Sequence, residues 1–135
     1  MAGEYDLHGL AVPETLHLLH ELMERVAEEH PELADDDLML LETAVIEIAG
    51  NVVEHGRPHG EVTWTFGLRV LPDRLEARLV DAGQEVTGSE APDAPDELSE
   101  GGRGLLVAKA ALDDLTYRRE DGQNIWRMTR MRHSA

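Results

Sequence analysis

The sequence is organised around one stretch, residues 47–56, which is Glu47-Ile48-Ala49-Gly50-Asn51-Val52-Val53-Glu54-His55-Gly56. Apolar residues recur at steps of three and four before and through this stretch, at Leu38, Leu41, Val45, Ile48 and Val52. This spacing predicts an amphipathic helix over about residues 36–55. Asp35, Asp36 and Asp37 are expected to supply an N-cap and negative charge in the first turn, and Gly56 is placed to end the helix.

One face of this predicted helix carries three polar side chains in a row. Glu47, Asn51 and His55 are successive i, i+4 neighbours, so a carboxylate, a carboxamide and an imidazole lie above one another. The apolar residues would press the helix against another layer, and the polar row would then look into a cleft. Three polar residues are also typical of an ordinary solvated face, so the row alone does not decide between a site and a surface.

Length and composition predict a single domain over residues 1–135, with 41% apolar residues to form a core. No run approaches the roughly 20 apolar residues of a membrane span, so no membrane association is expected. There is also no basic segment followed by an apolar one at the N-terminus, which disfavours a secretory signal. The absence of cysteine excludes disulfides and thiolate metal sites. We therefore expect a cytoplasmic protein.

The chain is strongly acidic, with a formal net charge of −16. This charge disfavours nucleic acid as a ligand, because each phosphate contact needs a cation. It suits attraction to a basic protein partner instead. A bound nucleotide would need a metal ion, backbone N–H groups and a few placed cations, and the candidates in the middle of the chain are few, among them Arg57, Arg103 and Lys109.

The remaining patterns predict a strand within residues 4–12 broken near Gly9, a helix from Pro13 to before Pro31, strands over 61–70 and 75–80, a helix after Gly104, and strands over 115–119 and 124–131. Residues 84–100 are acidic, rich in proline and short of apolar residues, which predicts a long functional loop. The order of the elements segregates strands from helices. It favours an α+β two-layer sandwich over a doubly wound α/β sheet.

Two further segments suit a nucleotide. Gly101 to Gly104 form a glycine-rich turn entering a helix, where unpaired N–H groups and the positive end of the helix dipole favour phosphate. Asp81-Ala82-Gly83 follows a strand, and there the acid could accept a hydrogen bond from an exocyclic amine while the glycine admits a flat ring. Each segment alone is also typical of a plain turn.

The order and spacing of these segments are more specific than their compositions. Glu47-x-x-x-Asn51, then Asp81-x-Gly83, an acidic loop and Gly102-Arg103-Gly104-Leu105 resemble the N, G1 and G2 boxes of GHKL-type ATP-binding domains. Within that superfamily the chain resembles the short anti-sigma-factor serine kinases of the RsbW and SpoIIAB type, over roughly residues 5–132. The resemblance implies the GHKL (Bergerat) sandwich, with a mixed, mostly antiparallel sheet and about three helices on one face.

The resemblance also implies roles for individual residues. Glu47 would be the general base for a serine or threonine hydroxyl, Asn51 would ligate Mg²⁺ bound to ATP, and His55 would lie near the phosphates. The other residues implied to bind ATP are Asp81 at the adenine amine, Gly83 beneath the ring, Thr129 as support from the last strand, and Gly102, Arg103, Gly104 and Leu105 around the phosphates, with residues 84–100 as a lid.

The implied function is an anti-sigma factor that sequesters a sigma factor and phosphorylates an antagonist of the STAS type, working as a homodimer formed through the first strand and helix. Two alternatives stay open: an ATP-binding module that sequesters a partner without phosphoryl transfer, and a degenerate domain that binds no nucleotide. Glu85 departs from the family pattern, which has a small residue or proline there, and this departure is the reason for keeping the last alternative open. Gly50 is unusual inside a helix, where it costs about 1 kcal/mol relative to alanine.

Overall fold

The computed structural model describes residues 3–56, 58, 60–85 and 100–133, and for residues 100–103 it describes the helical backbone only. The elements in chain order are β1 (Gly3–Leu10), a 3₁₀ turn (Pro13–Thr15), α1 (Leu16–Glu29), α2 (Asp35–His55), β2 (Thr63–Val70), β3 (Arg74–Asp81), α3 (Glu100–Ala111), β4 (Asp114–Glu120) and β5 (Gln123–Met131).

The five strands form one sheet in the order β1-β2-β3-β5-β4. Neighbouring strands are antiparallel throughout the described sheet, so it is not mixed as the resemblance implied. The helices form the second layer: α2 packs against β3 and β5 at the centre, α1 against β1, and α3 against α2 and β4. The predicted α+β two-layer sandwich is confirmed.

The core lies between the two layers and follows the predicted periodicities. Strand β2 alternates buried and exposed positions, which turns Trp64, Phe66 and Leu68 towards the helices. From α2, Leu41 and Ile48 pack into the same core with no exposed surface. Full burial of each such side chain contributes about 1.5–3 kcal/mol. Among the described helices, none is both long and apolar enough to span a membrane.

Three local predictions were wrong. Strand β1 is not broken near Gly9, because Gly9 pairs with Trp64 in an uninterrupted ladder. Helix α3 begins at Glu100, before the glycines that were expected to precede it. The N-cap of α2 is Ala34, without a side-chain cap, and Asp37 is turned inwards instead of capping the helix.

Candidate functional site

The C-terminal half of α2 carries the predicted polar row. Glu47, Asn51 and His55 are each partly exposed, and Nε2 of His55 lies 3.8 Å from a carboxylate oxygen of Glu54. Gly56 ends the helix, and its N–H donates to the carbonyl of Val52 at 2.8 Å. A Cβ at this position would lie 2.5 Å from that same carbonyl, so the exit of the chain from the helix requires glycine.

Helix α3 brings Gly104 against the middle of this row. A Cβ on Gly104 would lie 2.8 Å from Oε2 of Glu47 and 3.9 Å from both terminal atoms of the Asn51 carboxamide. Glycine therefore lets the backbone of α3 approach the carboxylate and the carboxamide directly. The side chain of Leu105 is turned away from Glu47 and Asn51, because it is 3% exposed and packs in the hydrophobic core. Its predicted contact with the nucleotide is thus limited to its backbone.

Asn51 has an incomplete set of hydrogen bonds. Its side-chain Nδ2 is buried and has no hydrogen-bond partner within the described residues. A buried polar group of this kind costs about 1–3 kcal/mol when it is left unpaired. A half-turn of the carboxamide exchanges its nitrogen and oxygen, so the same position can present either a donor or an acceptor.

The first turn of α3 holds two of the residues predicted to bind phosphate. The backbones of Gly102 and Arg103 are helical, and the first four N–H groups of an α-helix have no acceptor within the helix. The side chain of Arg103 and residues 86–99 of the predicted lid lie outside the described residues. Glu85 is described, and its side chain is exposed.

Asp81 lies at the end of β3, on the side of the sheet that faces the helices, and it is 2% exposed. Its Oδ1 accepts hydrogen bonds from the N–H of Gly83 at 2.9 Å and from Nδ2 of Asn124 at 2.9 Å. Its Oδ2 is buried and has no hydrogen-bond partner among the residues that the structure describes. One half of the carboxylate is therefore satisfied by the fold, and the other half is available to a ligand that donates a hydrogen bond.

The environment of Asp81 also changes its acidity. Burial raises the pKa of the carboxyl group, because the charged form loses its hydration. The hydrogen bonds from Asn124 and Gly83, the positive charge of Arg119 and the nearby indole N–H of Trp126 oppose this rise, but they do not cancel it. The indole nitrogen itself is buried and, among the described residues, has no acceptor at hydrogen-bond distance. A buried acid with a raised pKa and one unpartnered oxygen is typical of a functional site.

Asn124 is the residue that the sequence analysis missed at this end of the sheet. It is 2% exposed, and it stands directly opposite Asp81 in the β3–β5 ladder. Its carboxamide also donates to the carbonyl of Gln84 at 2.7 Å and accepts from the hydroxyl of Tyr117 and from Arg119. The only sequence signal for it was the position of Asn124 at the start of the last strand, next to a hairpin turn.

The two halves of the site meet at Val62. A Cβ on Gly83 would lie 3.0 Å from Oδ1 of Asp81 and 3.3 Å from Cγ2 of Val62. A Cβ on Gly56, at the end of α2, would lie 3.4 Å from the same methyl group. The turn after β3 and the end of the helix that carries Asn51 are thus packed against one common side chain.

Thr129 does not belong to this site. It pairs with Glu76, five residues from Asp81 along β3, whereas Asp81 pairs with Asn124. Because side chains alternate along a strand, Thr129 faces the side of the sheet that the helices leave open. There it lines a trough of about 610 Å³ together with Arg78 and Arg127. The predicted support for adenine by Thr129 is wrong in both register and face.

Comparison with known families agrees with this geometry. Residues 10–130 match the model of the family described as the histidine kinase-like ATPase domain. The chain belongs to this family. The predicted membership of the GHKL superfamily is therefore confirmed.

The relatives of this ATPase domain include serine-protein kinase RsbW of Bacillus velezensis, which is 33% identical over 102 residues. RsbW of Bacillus subtilis is 32% identical over 102 residues. Each alignment covers 67% of the chain and 62% of the relative, so the chain spans less than two thirds of those kinases. In the crystal structure of the RsbU and RsbW domains of Rv1364c from Mycobacterium tuberculosis, the same fold covers 97% of the chain and 34% of that protein, with a TM-score of 0.65 and 18% identity.

The residues of this ATPase domain fit a nucleotide on three observations. The free, buried Oδ2 of Asp81 matches the hydrogen-bond donor of an aminopurine. The unpartnered end of the Asn51 carboxamide can supply an oxygen to a Mg²⁺ ion that is otherwise held by phosphates. The backbone of Gly104 leaves room beside Glu47 that any side chain would fill.

Proposed function

We propose that the protein is an anti-sigma factor with Mg-ATP-dependent serine/threonine protein kinase activity. The observation that carries the proposal is the close approach of Gly104 in α3 to Glu47 and Asn51, where even a methyl group would have to displace the Glu47 carboxylate. A candidate base, a candidate metal ligand and a candidate phosphate-binding helix end thus lie together. The names of the curated relatives, which are serine-protein kinases, support the same reaction.

Recognition of the nucleotide is assigned to both ends of the site. Asp81 accepts the exocyclic amine of adenine at Oδ2, and Gly83 leaves its ring unobstructed. Gly102, Arg103 and Gly104 lie at the N-terminal end of α3, where the free N–H groups and the helix dipole favour the phosphates. Mg²⁺ bound to the phosphates neutralises part of their charge, and Asn51 holds it. His55, one turn beyond Asn51 and next to Gly56 at the end of α2, is assigned to the phosphates on the resemblance alone.

Transfer to a protein hydroxyl needs positioning and one base. Glu47 is four residues before Asn51 on the same face of α2, so its carboxylate can accept the proton of a serine or threonine hydroxyl presented to the phosphates. Phosphoryl transfer depends mainly on alignment and on neutralisation of charge, and it needs no covalent help from the protein. The helix-borne Glu47 and Asn51 provide that alignment from a rigid element.

The partners are proposed on charge and on the resemblance. A chain with a net charge of −16 suits a basic partner surface, as expected for a sigma factor. The phosphate acceptor is proposed to be an antagonist of the STAS type, which would release the sigma factor in its unphosphorylated form. The protein is proposed to work in the cytoplasm as a single domain that forms homodimers, without nucleic acid.

The test incubates the chain with labelled Mg-ATP and candidate STAS antagonists, and it measures the phosphorylated product. We expect product with the wild type, a loss of about 100-fold or more in Glu47→Gln with ATP binding retained, and a loss of binding in Asn51→Ala. Glu42→Gln is the matched control, because Glu42 lies on the same helix but contacts His20 at 2.8 Å. Full transfer by Glu47→Gln contradicts the role of Glu47, and ATP binding without transfer to any antagonist contradicts the kinase activity.

A further inference from the structure

A hydrogen-bonded network on the β4–β5 hairpin surrounds the base-recognition end of the site. Asn124 uses both N–H groups of its carboxamide, one to Oδ1 of Asp81 at 2.9 Å and one to the carbonyl of Gln84 at 2.7 Å. Its Oδ1 accepts from the hydroxyl of Tyr117 and from the guanidinium of Arg119, the latter at 3.1 Å. All the polar atoms of this buried side chain are therefore paired.

This network fixes which way the carboxamide of Asn124 is turned. A guanidinium has donors and no acceptor, so the end of the carboxamide next to Arg119 must be the oxygen. The nitrogen must then face Asp81 and Gln84. The Asp81 carboxylate and the Gln84 carbonyl are both acceptors and keep the nitrogen on their side, so Arg119 reinforces this orientation by donating to the oxygen. Without Arg119, the oxygen would keep the hydroxyl of Tyr117 but lose its charged donor, and Asn124 would be held less firmly.

Arg119 makes a second contact that acts on the same segment. The guanidinium nitrogen that reaches Asn124 also donates to the carbonyl of Gly83 at 2.6 Å. The carbonyls of Gly83 and Gln84 are thus held by two neighbouring side chains, and the turn after β3 is tied to the hairpin. The positive charge of Arg119 also favours the ionised form of Asp81.

We infer that Arg119 and Asn124 are positioning residues that determine which nucleobase the site accepts, an inference that rests on the proposed function. They direct two donors, including the N–H of Gly83, to Oδ1 of Asp81, and they leave Oδ2 as its one unpaired acceptor. A purine with a 6-amino group donates to Oδ2. A purine with a 6-oxo group places oxygen against oxygen, so it is rejected.

The chain supplies a matched control in the adjacent residue. Arg118 precedes Arg119 on β4, but its side chain points to the opposite face of the sheet. It forms an exposed ion pair with Glu120 at 3.0 Å, which contributes little to stability. Arg118→Gln and Arg119→Gln remove the same charge from neighbouring positions, and only the second touches the network.

The experiment measures the affinities of the full chain for Mg-ATP and for Mg-ITP, which differ in the 6-amino and 6-oxo groups, by calorimetry. We expect the wild type to prefer ATP by about 100-fold, because a site built around an acceptor rejects an oxo group. Arg119→Gln and Asn124→Ala should each reduce this ratio by about tenfold, mainly through weaker ATP binding. Arg119→Lys should restore part of the ratio, and Arg118→Gln should leave it unchanged.

The outcomes separate this inference from the proposed function. A wild type that prefers ATP, with the same ratio in folded Arg119→Gln, overturns the inference alone. A wild type that binds neither nucleotide overturns the proposed function and the inference together. Arg119 is an exposed residue, so Arg119→Gln should fold. It therefore still tests the inference if Asn124→Ala does not fold. A general loosening of the site would weaken ATP and ITP equally, and the unchanged ratio would then count against us.

Discussion

Among the residues that the structure describes, two carboxylates are almost completely buried, and the fold supplies them with different hydrogen bonds. Asp37, in the first turn of α2, is 1% exposed, and Asp81, at the end of β3, is 2% exposed. Oδ1 of Asp37 accepts from Nε of Arg130 at 2.9 Å and contacts Nδ1 of His133 at 2.8 Å, and its Oδ2 accepts from the N–H of His133 at 2.7 Å. Within the described part of the chain, Oδ1 of Asp81 has two donors and Oδ2 has none at hydrogen-bond distance. The fold alone satisfies both oxygens of Asp37 with hydrogen bonds, whereas Oδ2 of Asp81 requires a ligand as its donor.

The pKa values of the two acids shift in opposite directions. Burial pushes the pKa of Asp37 up, but the hydrogen bonds from His133 and Arg130 outweigh it, and the pKa is lowered. For Asp81 burial prevails, and the pKa is raised. An acid with a lowered pKa adds stability above its unfolded pKa, whereas an acid with a raised pKa loses stability as the pH rises through its folded value. At neutral pH, Asp37 therefore stabilises the fold and Asp81 weakens it.

The largest expected effect comes from Asp81→Asn. The amide removes the acceptor charge that faces the ligand, so affinity for Mg-ATP should fall by about 100-fold. The same change removes a buried, half-paired charge, so the free energy of unfolding should stay the same or increase. Calorimetry and chemical denaturation measure the two quantities. Asp73→Asn, in the exposed β2–β3 turn, is the control. Retained ATP affinity combined with a less stable fold would show that Asp81 is structural like Asp37.

Asp37→Asn should give the reverse pattern. It leaves the partly buried guanidinium of Arg130 beside a neutral group, and the free energy of unfolding should fall by about 2 kcal/mol. The affinity of the folded protein for Mg-ATP should not change, because Arg130 and His133 belong to a network at the N-terminal end of α2. Urea denaturation and calorimetry on the same sample test both statements. A loss of ATP affinity as large as that of Asp81→Asn would remove the distinction between the two acids.

Lowering the pH should bring the free energies of unfolding of both variants closer to that of the wild type, from below for Asp37→Asn and from above for Asp81→Asn. As the pH falls from 7 towards the lowered pKa of Asp37, the wild type loses the stability that this acid supplies, and the deficit of Asp37→Asn shrinks. Over the same range Asp81 becomes protonated, starting at a higher pH because its pKa is raised, and any gain of Asp81→Asn disappears first. Each difference changes by at most about 1.4 kcal/mol per pH unit. Denaturation curves at several pH values test the order, and the opposite order would contradict the assigned shifts.

The sequence predicted the part of the site that depends on one helix. Glu47 and Asn51 are one turn apart, so helical spacing alone places them on one face, and Gly104 then needs only the packing of α3 on α2. The part that depends on strand register could not be predicted. Asp81 pairs with Asn124 because the β3–β5 ladder, which joins distant parts of the chain, fixes the register. A shift of one residue would turn every side chain of β5 to the other face.

Asp37 shows the same limitation at the other end of α2. Three aspartates before an apolar helical pattern are typical of a capping segment. The first-turn charge is present, but the carboxylate of Asp37 instead binds Arg130 and His133, more than ninety residues away in the sequence. Local propensity identifies where the helix begins. It does not identify which of three identical residues the distant C-terminal strand will bury.

The smallest expected effects are those of alanine substitutions at two glycines on the helices that form the site. A Cβ on Gly50 would meet nothing within 4 Å, so Gly50→Ala should raise the free energy of unfolding by about 1 kcal/mol through helix propensity, with ATP affinity and phosphoryl transfer unchanged. Gly104→Ala gains the same propensity, but its methyl group would lie 2.8 Å from Oε2 of Glu47 and would have to displace that carboxylate. Its transfer rate should fall while the fold stays intact, because the end of the glutamate side chain can move. If Gly50→Ala instead impairs activity without a loss of stability, the face of α2 that carries Gly50 takes part in binding a partner. That face would then belong to the functional surface together with Glu47 and Asn51.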